Sequence, residues 1–225
     1  MLQKKQNNAV DFHEELASGW SKKYKNSHYF QERFKVITSI LKRVAVPHTN
    51  WLDAGCGDGI FSTVLIELGA NLHGVDGSNK MIALAKDKEP KGMFQVVEDL
   101  CTYTDYPTRF DGILCSSVLE YLHEPNSTLS IFNGSLKKDG VLVITVPNSR
   151  SLIRSFQSIL RALDRSRFQY LNTSKNSYSQ TDFQAVLNQA GFRVVIKDYI
   201  DPYFSNLPQV KKYSALMLFV AVKVE

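Results

Sequence analysis

No apolar run in this sequence approaches the ~18 consecutive residues that a membrane-spanning helix needs, so no span is expected. Cysteine is scarce. The three present, Cys56, Cys101 and Cys115, show no CxxC pair and no Cys/His metal spacing. That excludes a disulfide framework, and an odd count suits a reducing compartment. Long blocks of like charge, low-complexity linkers and internal repeats are also missing, which argues against a disordered tail or a repeat array. The opening MLQKKQNNAVDFHEEL is polar and lacks the apolar core of a secretory signal. A cytoplasmic location is expected.

What is there reads as an ordinary globular chain. Of 225 residues, 44% are hydrophobic and 22% charged, enough to bury a real core in one domain. The formal net charge of +5 suits nucleic acid, an anionic membrane surface or an acidic small substrate, and chooses none of them. Nucleic acid is disfavoured, because no arginine/glycine-rich tail accompanies the charge.

Hydrophobic periodicity gives the element order. Phe12, Leu16, Trp20 and Tyr24 recur four apart, as do Phe30, Phe34 and, after a shorter step, Ile37, Leu41 and Val44 (two helical faces). Strand and helix signals then alternate: NWLDAG, GIFSTVLIELGA, NLHGVD, SNKMIALAKDK, GMFQVV, FDGILCS, STLSIFNGSLKK and GVLVITVP. Such alternation predicts right-handed βαβ units on a parallel sheet. A last helix, QTDFQAVLNQAGF, precedes RVVIKDYI and SALMLFVAV. With no helix between them, those two runs are expected as an antiparallel pair at the sheet edge.

The stretch WLDAGCGDG crowds Gly55, Gly57 and Gly59 where the first strand should end. Ligands of open α/β sheets bind beyond the carboxyl ends of strands, so bare backbone there suggests close approach to a ligand. The plainer reading is a sharp turn. The pattern is GxGxG, because Ile60 stands where the dinucleotide fingerprint GxGxxG needs its last glycine. Asp76 ends the next strand, close to the ~20-residue spacing that puts an acid at a ribose diol. Capping of the following helix is the rival role for Asp76, but Ser78 or Asn79 is free to serve there.

At these residues the chain resembles the class I S-adenosylmethionine (SAM)-dependent methyltransferases. LDAGCGDG looks like their first motif and GVDGSNKMIALA like their second. FDGILCSSVLEYL and LKKDGVLVITVPN are similar to the fourth- and fifth-strand segments. Within the superfamily the likeness is greatest to the branch holding ubiquinone-pathway O-methyltransferases and magnesium-protoporphyrin methyltransferase. It departs from the former at Tyr121, where LEH is common. The resemblance implies an α/β, Rossmann-like, doubly wound and mostly parallel seven-stranded sheet with an antiparallel C-terminal edge pair. Residues 1–45 are expected as an N-terminal helical lid, 46–148 as the SAM-binding core, 149–180 as a helical insertion after the fifth strand that covers the substrate, and 181–225 as the final helix and strands.

The same resemblance implies a SAM site. Asp53, Gly55, Cys56 and Gly57 would line the methionine part, and Asp76 with Gly77 the ribose. Asp99 and Leu100 would read the adenine, with Glu98 replacing Asp99 if the register slips by one. Ser116 would hold the methionine portion through its backbone, and Arg33 would pair with the SAM carboxylate. Methyl transfer from a sulfonium is an in-line displacement that positioning accelerates, and a hydroxyl acceptor also gains from a base. His123 and His13 are the candidate catalytic bases, each weighed against a surface or capping role. The (N/D)PP(Y/F) signature of adenine and glutamine methylation is missing where CSSV stands, and DPYF comes two strands too late. No metal site is expected, so transfer should be metal-independent.

One segment remains. In SRSLIRSFQSILRALDRSRF, Arg150, Arg154, Arg161 and Arg165 fall within roughly 60° of one another at helical spacing, opposite an apolar face. A lid helix with a solvated basic face is the plain reading. An anionic or lipid-associated acceptor is the sharper one. The expected function is methyl transfer from SAM to a small molecule, at a hydroxyl oxygen. A nucleic-acid methyltransferase, a Rossmann-type oxidoreductase and a silent SAM-binding scaffold are the rivals.

Overall fold

The computed structural model describes residues 10, 14, 27–152, 174–201, 203 and 210–224. The element order is α1 (His28–Val44), β1 (Asn50–Ala54), α2 (Ile60–Glu67), β2 (Asn71–Asp76), α3 (Asn79–Lys88), β3 (Met93–Val96), β4 (Phe110–Ser116), α4 (Pro125–Ser135), β5 (Leu136–Pro147), α5 (Gln180–Gln189), β6 (Phe192–Ile200) and β7 (Leu216–Lys223). In α1, Arg33, Ile37, Ile40 and Leu41 share the buried face. The basic Lys42 and Arg43 sit in its last turn, where unpaired carbonyls favour positive charge. The hydroxyl of Ser78 caps α3 by accepting the Met81 N–H, and Ser179 caps α5 through the Asp182 N–H.

The strands form one sheet in the order β3-β2-β1-β4-β5-β7-β6. The first five pair in parallel, and β7 runs antiparallel between β5 and β6. The expected α/β fold with its antiparallel edge pair is therefore observed. Strand side chains alternate between two apolar layers. Leu52, Ala54, Ile113, Leu142, Ile144 and Phe219 enter one, while Trp51, Leu114, Val143, Leu218 and Val220 enter the other. Burial on both faces explains why the central strands read as continuous apolar runs.

Two features differ from the sequence expectation or fall beyond it. The fifth strand begins at Leu136 rather than at Gly140, because the buried Leu136 pairs with Phe110 before the register shifts to Gly112 opposite Val141. Lys137 Nζ donates to both Asp111 oxygens at 2.9 and 2.8 Å and holds this extension on β4. Phe12, His13, Trp20, Tyr24, Arg154, Arg161 and Arg165 lie outside the described residues.

The insertion's ends are tied together. Ser149 N–H donates to the Tyr178 carbonyl at 2.8 Å, and Tyr178 N–H to the Pro147 carbonyl at 3.1 Å. Asn148 Nδ2 donates to the carbonyls of Lys212 and Ser214 at 2.9 and 2.8 Å, which anchors the exit beside β7. On the return, Asn176 Nδ2 donates to the carbonyls of Leu119 and Leu122.

A buried corner of the sheet carries a titratable group. His73 is 4% exposed on β2, edge-on to Tyr106 and Phe110, and neither ring nitrogen has a partner among the described residues. Burial lowers its pKa below the usual 6.5. The native state thus holds His73 neutral where the unfolded chain binds a proton, so stability is lost as pH falls below about 6.5. His73→Leu isolates this contribution: the urea-unfolding midpoint of the variant relative to the parent chain should rise between pH 7.5 and 5.5. A difference that is the same at both pH values would rule out His73 as a source of pH dependence.

Candidate active site

Parallel pairing brings the carboxyl ends of β1, β2, β3 and β4 to one edge, and the strand order reverses between β1 and β4. The glycine loop follows β1. Gly55 and Cys56 N–H groups both donate to the Val75 carbonyl, at 2.7 and 2.9 Å, and so bind the loop to β2. Gly55 has φ +75°, and a Cβ there would stand 2.2 Å from a Val118 methyl. The bareness expected for a ligand is thus used by a side chain from the turn after β4. Gly59 has φ +79° and caps α2 as the turn residue, with Ala85 of α3 at 3.1 Å from a would-be Cβ. Cys56 is buried in the apolar layer of α2, and burial with the nearby carboxylates of Asp53 and Asp76 pushes its thiol pKa up. Its side chain packs within that layer.

Asp76 unites two loops. Its Oδ2 accepts the Gly57 N–H and its Oδ1 the Ser78 N–H, each at 2.9 Å. Because Ser78 caps α3, the carboxylate of Asp76 is not consumed as a cap. Burial raises its pKa, with the Glu14 carboxylate adding to the effect. Val10 and Glu14 dock on the same turn. A Cβ on Gly77 would come within 2.8 Å of Val10, and Glu14 accepts from the Ser78 hydroxyl and, at 3.3 Å, from Lys80 N–H.

Asp53 lies beneath the loop, 2% exposed, and accepts the Ser62 hydroxyl at 2.7 Å. Desolvation raises its pKa to about 7, the Ser62 bond opposing and the Asp76 charge adding. At neutral pH this acid is poised between its two forms. Asp58, which sequence reasoning passed over, is also buried and pairs with Lys88 Nζ at 2.9 Å, linking the loop to α3.

At the end of β4 the structure joins two expected residues that are 83 positions apart. Arg33 Nη2 donates to the Ser116 carbonyl at 2.9 Å and to its hydroxyl at 2.8 Å, and Nε reaches the hydroxyl at 3.3 Å. Its guanidinium also faces the Phe61 ring at 5.8 Å. Thr145 of β5 completes the node, 3.2 Å from the Ser116 hydroxyl and accepting the Ser117 N–H at 2.9 Å. Arg33 is 7% exposed and makes no ion pair among the described residues.

The loop after β3 carries Asp99 and Leu100. Asp99 Oδ1 accepts the Cys101 N–H at 2.9 Å, leaving its carboxylate at a partly open rim, while Leu100 is buried. Glu98 is exposed. His123 arrives beside them with Nε2 4.0 Å from Asp99 Oδ2, an ion-pair separation too long for a hydrogen bond. His123 is thereby grouped with Asp99 rather than with Arg33 and Ser116. Sequence reasoning also missed Glu120, a buried carboxylate in the turn after β4. Its charge raises the pKa of Tyr178, behind burial, and of Cys115. An acid inside an apolar VLEYL run was the available signal.

A family model described as a methyltransferase domain matches residues 26–197. The mitochondrial ubiquinone biosynthesis O-methyltransferase of Schizosaccharomyces pombe is 30% identical over 165 residues, covering 69% of this chain and 60% of that protein. The protein of the same name from Xanthomonas campestris pv. campestris is 30% identical over 115 residues, 48% of this chain and 47% of that one. The chain thus spans about half the length of the curated relatives it matches. Magnesium protoporphyrin IX methyltransferase of Synechocystis PCC 6803, crystallised with bound S-adenosylhomocysteine (SAH), superposes with a TM-score of 0.74 at 17% identity, over 96% of this chain and 98% of that one. The N-methyltransferase NodS of Bradyrhizobium japonicum WM9, in complex with SAH, gives 0.71 at 15% identity, over 97% and 100%. With the strand order and the loop geometry, these matches place the chain in the methyltransferase-domain family, on the fold of the class I SAM-dependent enzymes.

Proposed function

We propose that this chain is a SAM-dependent methyltransferase that acts on a small-molecule acceptor, at a hydroxyl oxygen. Arg33 carries the reading. A buried guanidinium without an ion-pair partner among the described residues, at the carboxyl edge of the sheet, fits a ligand carboxylate such as the one SAM bears. The remaining polar groups fit the rest of that molecule. Asp76 already accepts two N–H groups, yet each oxygen keeps a lone pair for a ribose hydroxyl. Asp99 offers a partly exposed carboxylate to an amine, and Leu100 an apolar wall.

SAM, when bound, supplies a methyl group already activated on a sulfonium. What remains for the chain is positioning and exclusion of water. Arg33 and Ser116 fix one end of the site against β4, and Asp76 fixes the other against the glycine loop. His123 stands at the Asp99 corner and is assigned no proton transfer. Oxygen as the acceptor atom is supported by the two O-methyltransferase relatives. An anionic acceptor is supported by the arginine spacing at Arg150, Arg154, Arg161 and Arg165 within the 149–180 insertion.

Asp76→Ala should weaken SAM about tenfold or more, the ~1.5–3 kcal/mol of a charged hydrogen bond. Titration calorimetry on the folded variant tests this, and unchanged affinity would remove Asp76 from the site.

Asp53 generates a pH dependence. SAM is a net cation, so its binding favours ionised Asp53. Below about pH 7 the proton must leave first. SAM affinity should therefore rise from pH 6 to 8, by up to about tenfold per unit below 7, and Asp53→Asn should abolish the slope. A slope that survives in the variant would assign it elsewhere.

Transfer of labelled methyl from SAM to hydroxylated acceptors, with and without a carboxylate, tests the activity itself. Reversal of Arg154 and Arg161 to Glu should raise KM for the anionic acceptors, less so at high salt, and leave SAM affinity in place. Lack of transfer to any hydroxyl would overturn the reading, and an unchanged KM would return these arginines to a solvated face.

A further inference from the structure

We propose that Asp99, Cys101 and His123 form a binding site for a thiophilic divalent cation of zinc character. One donor atom from each residue lies within 4.8 Å of the other two. Asp99 and Cys101 share the turn after β3, which the Cys101 N–H to Asp99 Oδ1 bond at 2.9 Å and the Thr102 hydroxyl on Oδ2 at 3.3 Å hold in shape. His123 comes from the far side of β4. Its segment is fastened to the same turn by the Thr128 hydroxyl, which donates to the Leu100 carbonyl at 3.4 Å. Two separate stretches of chain thus deliver sulfur, nitrogen and oxygen to one point.

The chemistry of the donors selects the ion. Thiolate, imidazole and carboxylate together suit zinc and exclude calcium and magnesium, which take oxygen ligands. Cys101 is 4% exposed yet belongs to neither apolar layer, whereas Cys56 and Cys115 are each part of one. Zinc bonds of 2.0–2.3 Å would set the donors about 3.3–3.8 Å apart, so the shell must contract by about 1 Å. His123 supplies that movement, since its side chain is 56% exposed and already 4.0 Å from Asp99. Three protein ligands leave a fourth position for water, and the Cys101 thiol proton passes to solvent on binding.

The site stands on its own geometry. Its consequence rests on the function proposed above: Asp99 is the carboxylate assigned to the adenine amine, so zinc and SAM should exclude one another.

Cobalt(II) added to the reduced, ligand-free protein is the direct probe. One equivalent should produce a near-ultraviolet thiolate-to-cobalt charge-transfer band, and zinc should bleach it. Cys101→Ser should lose the band. His123→Ala, at an exposed position that folding does not require, should weaken cobalt binding by more than the about 10–100-fold that loss of an outer-shell partner costs. A wild-type protein without the band overturns the site, as does a band that survives Cys101→Ser or an affinity indifferent to His123→Ala. Calorimetry with SAM, with and without saturating zinc, tests the antagonism, and equal affinities overturn it. SAM that fails to bind the zinc-free protein refutes the cofactor reading instead and leaves the cobalt result standing.

Discussion

The two backbone N–H groups held by the Asp76 carboxylate organise the carboxyl edge. A loop containing Gly55, Gly57 and Gly59 has little intrinsic preference for one path, and its conformational entropy opposes any fixed shape. Asp76 removes that freedom by gripping Gly57 from one side and Ser78 from the other. The Val75 carbonyl reinforces the grip by taking the N–H groups of Gly55 and Cys56. An acid at the end of β2 therefore shapes a loop after β1. Both bonds are half-buried, so reduced competition from water keeps the interaction strong.

A second node sits across the switch point. Arg33 crosses from α1 to the end of β4, and its bonds to Ser116 are braced by Thr145 of β5. A cation buried so far from water is stable only where dipoles and rings surround it, and Ser116 and Phe61 supply both. The two nodes differ in kind. One is an anion that collects backbone donors, and the other is a cation that collects oxygens. Between them lies Asp53, whose proton affinity reports on both charges.

Much of this was legible in the sequence, for local reasons. Strands β1, β2 and β4 are apolar runs ended by Asp, Gly or Ser, so their carboxyl ends and the residues posted there follow from pattern. The cap at Ser78 was open to the same reasoning. Long-range packing was not. Nothing near Gly55 announces that Val118 will fill its empty side, and nothing near Arg33 announces Ser116. The early start of β5 depends on Phe110 meeting Leu136, a pairing that turn residues such as Asp139 and Gly140 hide. The Asp99, Cys101 and His123 grouping is invisible for the same reason, since β4 and its flanking turns separate the donors in the chain and the fold reunites them.

The joined ends of the insertion have an evolutionary meaning. The chain leaves the sheet at Asn148 and re-enters at Tyr178, the two paired to each other. A segment whose entry and exit are neighbours closes as a loop of almost any length, and each doubling of that length costs only about 0.6 kcal/mol. Its contents are insulated from the register of β5 and β7, which the Asn148 side chain secures separately. The excursion is a socket. One sheet can accept successive inserts there while the strands beneath it keep their sequence.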